Sequence, residues 1–208
     1  VELVFPSTHP LFLEALGKLR SVDTQPPEFR RLVRSLAGML AYEATRDLPT
    51  RDQFVSTPLG NAPSKMLAEH VKIVPILRAG LGMVEGILDL IPTASVWHIG
   101  LRRNEETLQP EEYYTKLPTD ASQATILIVD PMLATAGSAI HACELIKKLN
   151  PLRVRFLSLI AAPEGIARLS AAMPELPIYV GAIDEQLNEV GYIYPGLGDA
   201  GDRQFATL

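Results

Sequence analysis

The stretch Asp130-Pro131-Met132-Leu133-Ala134-Thr135-Ala136-Gly137-Ser138 carries the residue types of a phosphate site. It follows the apolar run 124–129 and opens an amphipathic segment reaching about residue 149. An apolar run ending in an acid, then small hydroxyl and glycine residues, then a helix, is how α/β proteins build a phosphate cradle. Uncapped amides and the helix dipole favour an anion there. Thr135 and Ser138 add hydroxyl donors, and Gly137 lets the backbone approach closely. Asp130 sets a carboxylate beside the cradle, in reach of a sugar hydroxyl or a hydrated Mg2+. The patterns Gly-x-x-x-x-Gly-Lys-Ser/Thr and Gly-x-Gly-x-x-Gly are both absent from this stretch. Taken alone, it fits an ordinary strand–turn–helix junction equally well.

Three further segments hold chemistry. Leu77-Arg78-Ala79-Gly80 follows the apolar run 71–76 and can present a cation and free amides to an anion; a surface arginine beside a helix start has the same pattern. Residues 101–114 form a long excursion dense in charge, and loops of that length inside a compact domain are functional or disordered. Within it, Arg103 has the reach to cover a diphosphate, while a solvated hairpin is the alternative. The tail 191–203 holds four glycines, a proline and two aspartates. Such a composition fixes a tight backbone path, suited to reading a planar base through inward N–H and C=O groups. His9, His70, His98 and His141 have no metal-ligand spacing.

The elements that must position these segments follow a βα rhythm. Periodicity predicts helices over 10–19 and 27–47, the second carrying Phe29, Leu32, Val33, Leu36 and Leu40 on one face and ending at Pro49. A short strand is expected near 53–57. Strands over 71–76, 95–101, 125–129, 154–161 and 177–182 then alternate with helices over 79–90, 137–149 and 163–173. Five apolar strands in that rhythm predict a parallel sheet covered on both faces. Ligands of such sheets sit beyond the carboxyl ends of the strands. The loops 77–80, 102–116, 130–138 and 183–203 all fall there, which predicts one composite site.

At 208 residues the chain suits one domain, read as 1–208. A net charge of −5, with no arginine-rich stretch, argues against nucleic acid or anionic membranes as partners. The single cysteine, Cys143, excludes an internal disulfide and lies in an apolar helix, where packing is its role. No signal peptide and no membrane-length apolar run is visible, so a cytoplasmic location is expected. Opening at Val1 rather than Met, the chain is expected to lack its initiator or a short leader.

The order strand, acid, four residues, Thr-x-Gly-Ser resembles the phosphoribosyl diphosphate (PRPP) loop of type I phosphoribosyltransferases. Together with Pro75-Ile76-Leu77-Arg78-Ala79-Gly80-Leu81-Gly82-Met83, Arg103-Asn104-Glu105-Glu106-Thr107, Ala182-Ile183-Asp184-Glu185 and 191–203, it resembles the uracil phosphoribosyltransferases. The likeness extends to His9-Pro10-Leu11 and Tyr42-Glu43-Ala44-Thr45, and covers nearly the whole chain. The tail is its most specific part, because it separates uracil enzymes from purine and orotate ones.

The resemblance implies an α/β fold: a five-stranded parallel sheet flanked by helices, with a small N-terminal helical and hairpin appendage. It implies the reaction uracil + PRPP → UMP + diphosphate in pyrimidine salvage, with Mg2+ held mainly by PRPP and water. By resemblance, residues 130–138 bind the ribose and 5-phosphate. Arg78 and Arg103 contact the diphosphate side; Ile193, Gly198, Asp199 and Ala200 form the uracil site, with Asp199 also facing PRPP. Arg103, Asp130 and Asp199 are the expected catalytic residues. Some bacterial members respond to GTP as an effector and assemble as dimers or larger oligomers, so GTP and a homo-oligomer (dimer or tetramer) belong to the expectation.

Two positions depart from the family. Thr-Gly-Gly-Ser is usual where this chain has Thr135-Ala136-Gly137-Ser138; the methyl is harmless at ordinary φ and costly at positive φ. Orotate enzymes carry a similar Thr-Ala-Gly-Thr, so tolerance is expected. Tyr194 replaces a common aliphatic residue, and narrows the base pocket only if its side chain turns inward. The rival readings are an enzyme for another base, a nucleotide-sensing RNA-binding regulator, and a catalytically dead scaffold on the same fold.

Overall fold

The computed structural model describes residues 3–103 and 110–207. The chain opens with strand β1 (Val4–Pro6), helix α1 (Pro10–Arg20) and helix α2 (Pro26–Ala44). Proline in the first turn starts both helices, and His9 caps α1 by accepting from the Leu11 amide. The expected apolar face of α2 is buried at Phe29, Leu32, Val33, Leu36 and Leu40. The helix stops at Ala44, short of the expected 47. Thr45 leaves helical geometry (φ −113°, ψ 8°), and its Oγ1 donates back to the Ala41 carbonyl at 2.7 Å.

Strands β2 (Thr50–Thr57) and β3 (Gly60–Leu67) form an antiparallel hairpin, as the resemblance implied, where residue pattern alone offered one short strand. It stands out from the body, with Phe54 77% and Leu59 100% exposed. The βα rhythm follows: β4 (His70–Leu77), α3 (Leu81–Leu90), β5 (Ser95–Val96), β6 (His98–Arg103), β7 (Pro110–Lys116), β8 (Ala124–Val129), β9 (Met132–Leu133) and α4 (Gly137–Lys147). After these come β10 (Arg153–Ala161), α5 (Pro163–Ala172), β11 (Ile178–Ile183), β12 (Gln186–Leu187), β13 (Ile193–Tyr194) and α6 (Ala200–Phe205).

The main sheet runs β1-β11-β10-β8-β4-β6-β7. Its five central strands are the five expected, all parallel. β1 adds a parallel edge and β7 an antiparallel one; the latter is the C-terminal part of the charged excursion. Alternation sorts the side chains. Ile73, Leu127, Val129 and Leu157 pack under α1, α2 and α3, while Val74, Ile126, Ile128 and Phe156 pack under α4 and α5. Every residue of β8 is buried, as a central parallel strand requires. Each Ile, Leu, Val or Phe side chain so buried contributes about 1.5–3 kcal/mol.

This frame has one consequence for function. β4, β8 and β11 all point the same way and end at Leu77, Val129 and Ile183, so loops 77–80, 130–138 and 183–203 gather at one end of the sheet, while loop 102–116 includes residues outside the described ones.

Candidate active site

The first half of the 130–138 loop is stitched to the sheet. The Asp130 amide donates to the Leu157 carbonyl (3.2 Å), and the Pro131 carbonyl accepts from Leu159 and Ile160 (both 3.1 Å). Pro131 and Leu133 are buried and Met132 half-buried, so their side chains serve the core. From Ala134 the chain turns out toward Thr135 and Ser138, and α4 begins at Gly137 with no side-chain cap and no acid in its first turn. Its leading amides are the donors an anion needs. Ala136 lies in the left-handed region (φ 62°, ψ 0°) and is 4% exposed, so its methyl falls in the costly case rather than the tolerated one.

Two α5 residues support this turn from behind. A side chain at Gly165 would sit 2.2 Å from the Ala134 carbonyl oxygen, so only glycine lets α5 pack there. Arg168 Nη1 donates to the Thr135 carbonyl at 3.0 Å. Neither was visible in the sequence, because both lie on an ordinary helix remote from the loop.

The loop after β4 nests beside it. Gly80 packs against the end of β8, where an added Cβ would fall 2.6 Å from the Val129 carbonyl oxygen. The Leu77–Arg78 peptide is cis. Arg78 Nη2 reaches Asp202 Oδ1 at 3.2 Å, which joins this loop to the tail.

The tail is as constrained as its glycines predicted. β12 and β13 pair antiparallel, Tyr194–Pro195 is cis, and Gly196 (φ 65°) and Gly198 (φ 79°) take left-handed geometry. Ile193 is buried, packed in one cluster with Leu197 and Ala200. Tyr194 is 53% exposed, so its ring does not fill the space beside Ile193. Asp199 caps α6, accepting from the Asp202 amide at 2.9 Å. Arg203 Nη1 donates to the Leu19 (3.0 Å) and Leu197 (2.8 Å) carbonyls, and its guanidinium lies 4.4 Å from the Phe29 ring centroid.

Electrostatics single out one acid. Burial pushes the Asp130 carboxyl up to about 7; the Met132 amide, donating at 3.3 Å, opposes that rise, and the charge of Asp199 adds to it. The loops after β8 and before α6 therefore bring two carboxylates within electrostatic reach. Arg103 ends β6 in register with Pro110, but its side chain and residues 104–109 lie outside the described residues, and so does the diphosphate contact expected of it. Cys143 is buried, its thiol pushed up to about 12 by that burial, as packing demands. A cavity of about 590 Å³ between β1, α2 and Tyr179 of β11 is lined by none of these loops.

A mainly parallel sheet with an anion-ready loop, an acid pair and a fixed tail at its carboxyl end is the architecture of type I phosphoribosyltransferases. A hypoxanthine phosphoribosyltransferase from Staphylococcus aureus shares that fold, with a TM-score of 0.52 over 87% of this chain and 84% of that one at 12% identity. The family profile described as uracil phosphoribosyltransferase matches residues 6–207. The uracil phosphoribosyltransferase of Roseiflexus castenholzii is 53% identical over 98% of each chain, and that of Symbiobacterium thermophilum 54% identical over 96% of each. The structure of the AQ2163 protein from Aquifex aeolicus superposes with a TM-score of 0.93, covering 98% of both chains at 42% identity. The chain belongs to the uracil phosphoribosyltransferase family.

Proposed function

We propose that the chain transfers the phosphoribosyl group of PRPP to uracil, giving UMP and diphosphate in pyrimidine salvage. The observation that carries this reading is the convergence of the uncapped α4 start, Arg78, Asp130 and the fixed tail at one sheet end. In this reading the amides and hydroxyls of residues 134–138 hold the 5-phosphate, and Asp130 takes the ribose hydroxyls. Arg78 and Arg103 bind the diphosphate side. Uracil lies against Ile193 and the backbone of Gly198, Asp199 and Ala200, with Asp199 also turned to PRPP.

Displacement at the anomeric carbon builds positive charge on the ribose while diphosphate leaves as an anion. Fixed cations beside the leaving group and carboxylates beside the ribose stabilise both charges. Attack from the opposite face inverts the α-diphosphate to the β-nucleotide.

The donor set fits Mg2+. Asp130 and Asp199 interact as like charges, which favours a cation near them. Among the described residues no group of three or more His, Cys, Asp or Glu could hold a metal, and in this reading Mg2+ would be held mainly by PRPP oxygens and water, with Asp130 and Asp199 beside it. When bound, Mg2+ supplies positive charge against the departing diphosphate.

A homo-oligomer is supported by the exposed apolar residues Phe54 and Leu59 of the β2–β3 hairpin. No described helix is long and apolar enough to cross a membrane, which accords with the cytoplasmic location we propose. GTP activation rests on the family alone. The test is UMP formation from uracil, PRPP and Mg2+, beside cytosine, orotate and hypoxanthine, with and without GTP. Product from uracil alone supports the reading. Product from another base would mean that the tail reads that base, and no product despite PRPP binding favours a regulator on this fold.

A further inference from the structure

We infer that Arg20 and Asp184 form a clamp that positions the base loop, and so sets uracil affinity without touching substrate. The inference rests on the uracil reading of the tail. Its centre is Gly196, midway between Ile193 and Gly198. The Gly196 amide donates to Asp184 Oδ2 at 2.8 Å, and its carbonyl accepts from Arg20 Nη1 at 2.7 Å. Both polar groups of one residue's backbone are thereby held by a single ion pair. That pair is bidentate: Arg20 Nη1 donates to Asp184 Oδ2 at 2.8 Å, and Arg20 Nη2 to Asp184 Oδ1.

Each partner is itself anchored. The Asp184 amide donates to the Ala161 carbonyl at the end of β10, and Arg20 closes α1. Arg203 gathers the Leu19 and Leu197 carbonyls alongside, which fixes the α1 terminus to the same loop. Backbone geometry requires glycine at the clamped position. Its φ of 65° disfavours a side chain, and a Cβ there would lie 2.1 Å from the Ile193 carbonyl oxygen. The loop path from Ile193 to Gly198 thus turns at a point held from both sides.

The chemistry of the pair favours positioning over bulk stability. The Asp184 side chain is 4% exposed and that of Arg20 24%. An ion pair so dehydrated gains little over a packed apolar contact, because desolvation offsets the attraction. What it does supply is direction: a planar guanidinium and a carboxylate fix donor and acceptor angles at Gly196. The clamp is made wholly of protein groups, hydrogen-bonded to one another and not to substrate, and order that the protein itself supplies lowers the ordering cost of binding.

The test is steady-state kinetics with uracil and PRPP varied separately, on wild type, Arg20→Met and Arg20→Lys, with Tm measured alongside. Arg20→Met should raise KM for uracil about 10-fold or more, from loss of the charge-assisted hydrogen bond to Gly196, while KM for PRPP stays near wild type and Tm falls because the buried Asp184 carboxylate loses its partner. Arg20→Lys should recover part of the uracil KM. A parallel rise in both KM values, or a fall in Tm with their ratio unchanged, would overturn the clamp in favour of plain structural support. If wild type uses another base, the uracil reading fails, and the same ratio measured with that base still tests the clamp. Amide hydrogen exchange on Asp184→Asn gives a readout free of activity: the Gly196 amide should exchange about 10-fold faster with β8 unchanged. Faster exchange throughout the sheet would overturn it.

Discussion

Arg78 Nη2 donates to Asp202 Oδ1 at 3.2 Å, so the cation after β4 is paired with the tail. The Arg78 side chain is 55% exposed and that of Asp202 27%, which makes the pair a surface contact of under about 1 kcal/mol. Such a pair is easily exchanged for a diphosphate. Arg78→Ala should therefore leave Tm unchanged yet lower kcat/KM for PRPP by roughly 100-fold. Asp202→Asn releases the arginine and should keep activity. Wild-type PRPP kinetics in Arg78→Ala would remove the arginine from the site.

Ala136 is the one non-glycine residue of the phosphate turn with positive φ, at 62°. Left-handed geometry costs an L-residue about 1–2 kcal/mol. Glycine relieves that strain, but its greater chain freedom returns about 0.5–1 kcal/mol of the cost. Ala136→Gly should then gain about 0.5 kcal/mol, a Tm rise of roughly 1–2 °C for a chain of this size. Ala136→Val, with a branched Cβ, should lose more than Ala136→Gly gains. Thermal melts in the order Gly, Ala, Val check the geometry; valine equal to alanine would contradict it.

Legibility in the sequence followed burial. β8 and β10 were read almost to the residue, because strands buried on both faces are mostly apolar, with Thr125, Arg155 and Ser158 as buried polar exceptions. β3 was missed: it contains Pro63 and buries nothing, so no pattern marks it. β7 read as a charged excursion because an edge strand tolerates Glu111, Glu112 and two tyrosines. The site showed the same division. Residues 130–138 and 191–203 declared themselves by glycines and acids that only a special backbone path explains. Arg20 did not, since Asp184 lies 164 positions away and α1 offers no hint of it. Contacts of that separation belong to the fold, and no local spacing encodes them.

Arg203 ties the tail to the end of α1 through carbonyls of both segments. Besides Leu19 and Leu197, the Ser21 carbonyl accepts from its Nη2 at 2.5 Å, and the guanidinium covers the Phe29 ring. Burial lowers its pKa, a sign of partial dehydration. Lysine cannot span these acceptors, so Arg203→Lys and Arg203→Ala should both destabilise, by about 2–4 kcal/mol or roughly 5–10 °C in Tm. Limited proteolysis should then cut within 191–207 before the sheet core. A variant that melts like wild type and resists cleavage would show that the tail is held without it.

Asp130 should give stability and function opposite signs. Its carboxyl is held at about 7 against an ordinary 3.8, first by burial and further by Asp199, with the Met132 amide opposing. Between those two values the folded chain keeps a proton that the unfolded chain has released. Its contribution to stability is thus fully present below about pH 4 and is lost as pH rises through 7. Asp130→Asn removes the ionisation at constant shape. The variant should melt above wild type already at pH 5 and further above it at pH 8, the gap widening between them by about 1–2 kcal/mol or roughly 3–6 °C. In the same variant, saturation by PRPP with Mg2+ should weaken, because the carboxylate that destabilises the empty site is the one assigned to the ribose. Melting curves at both pH values, repeated with PRPP and Mg2+, separate the two effects: ligand should raise the wild-type Tm more than that of the variant. A Tm difference that does not change between pH 5 and pH 8 would mean that Asp130 is already ionised in the empty enzyme.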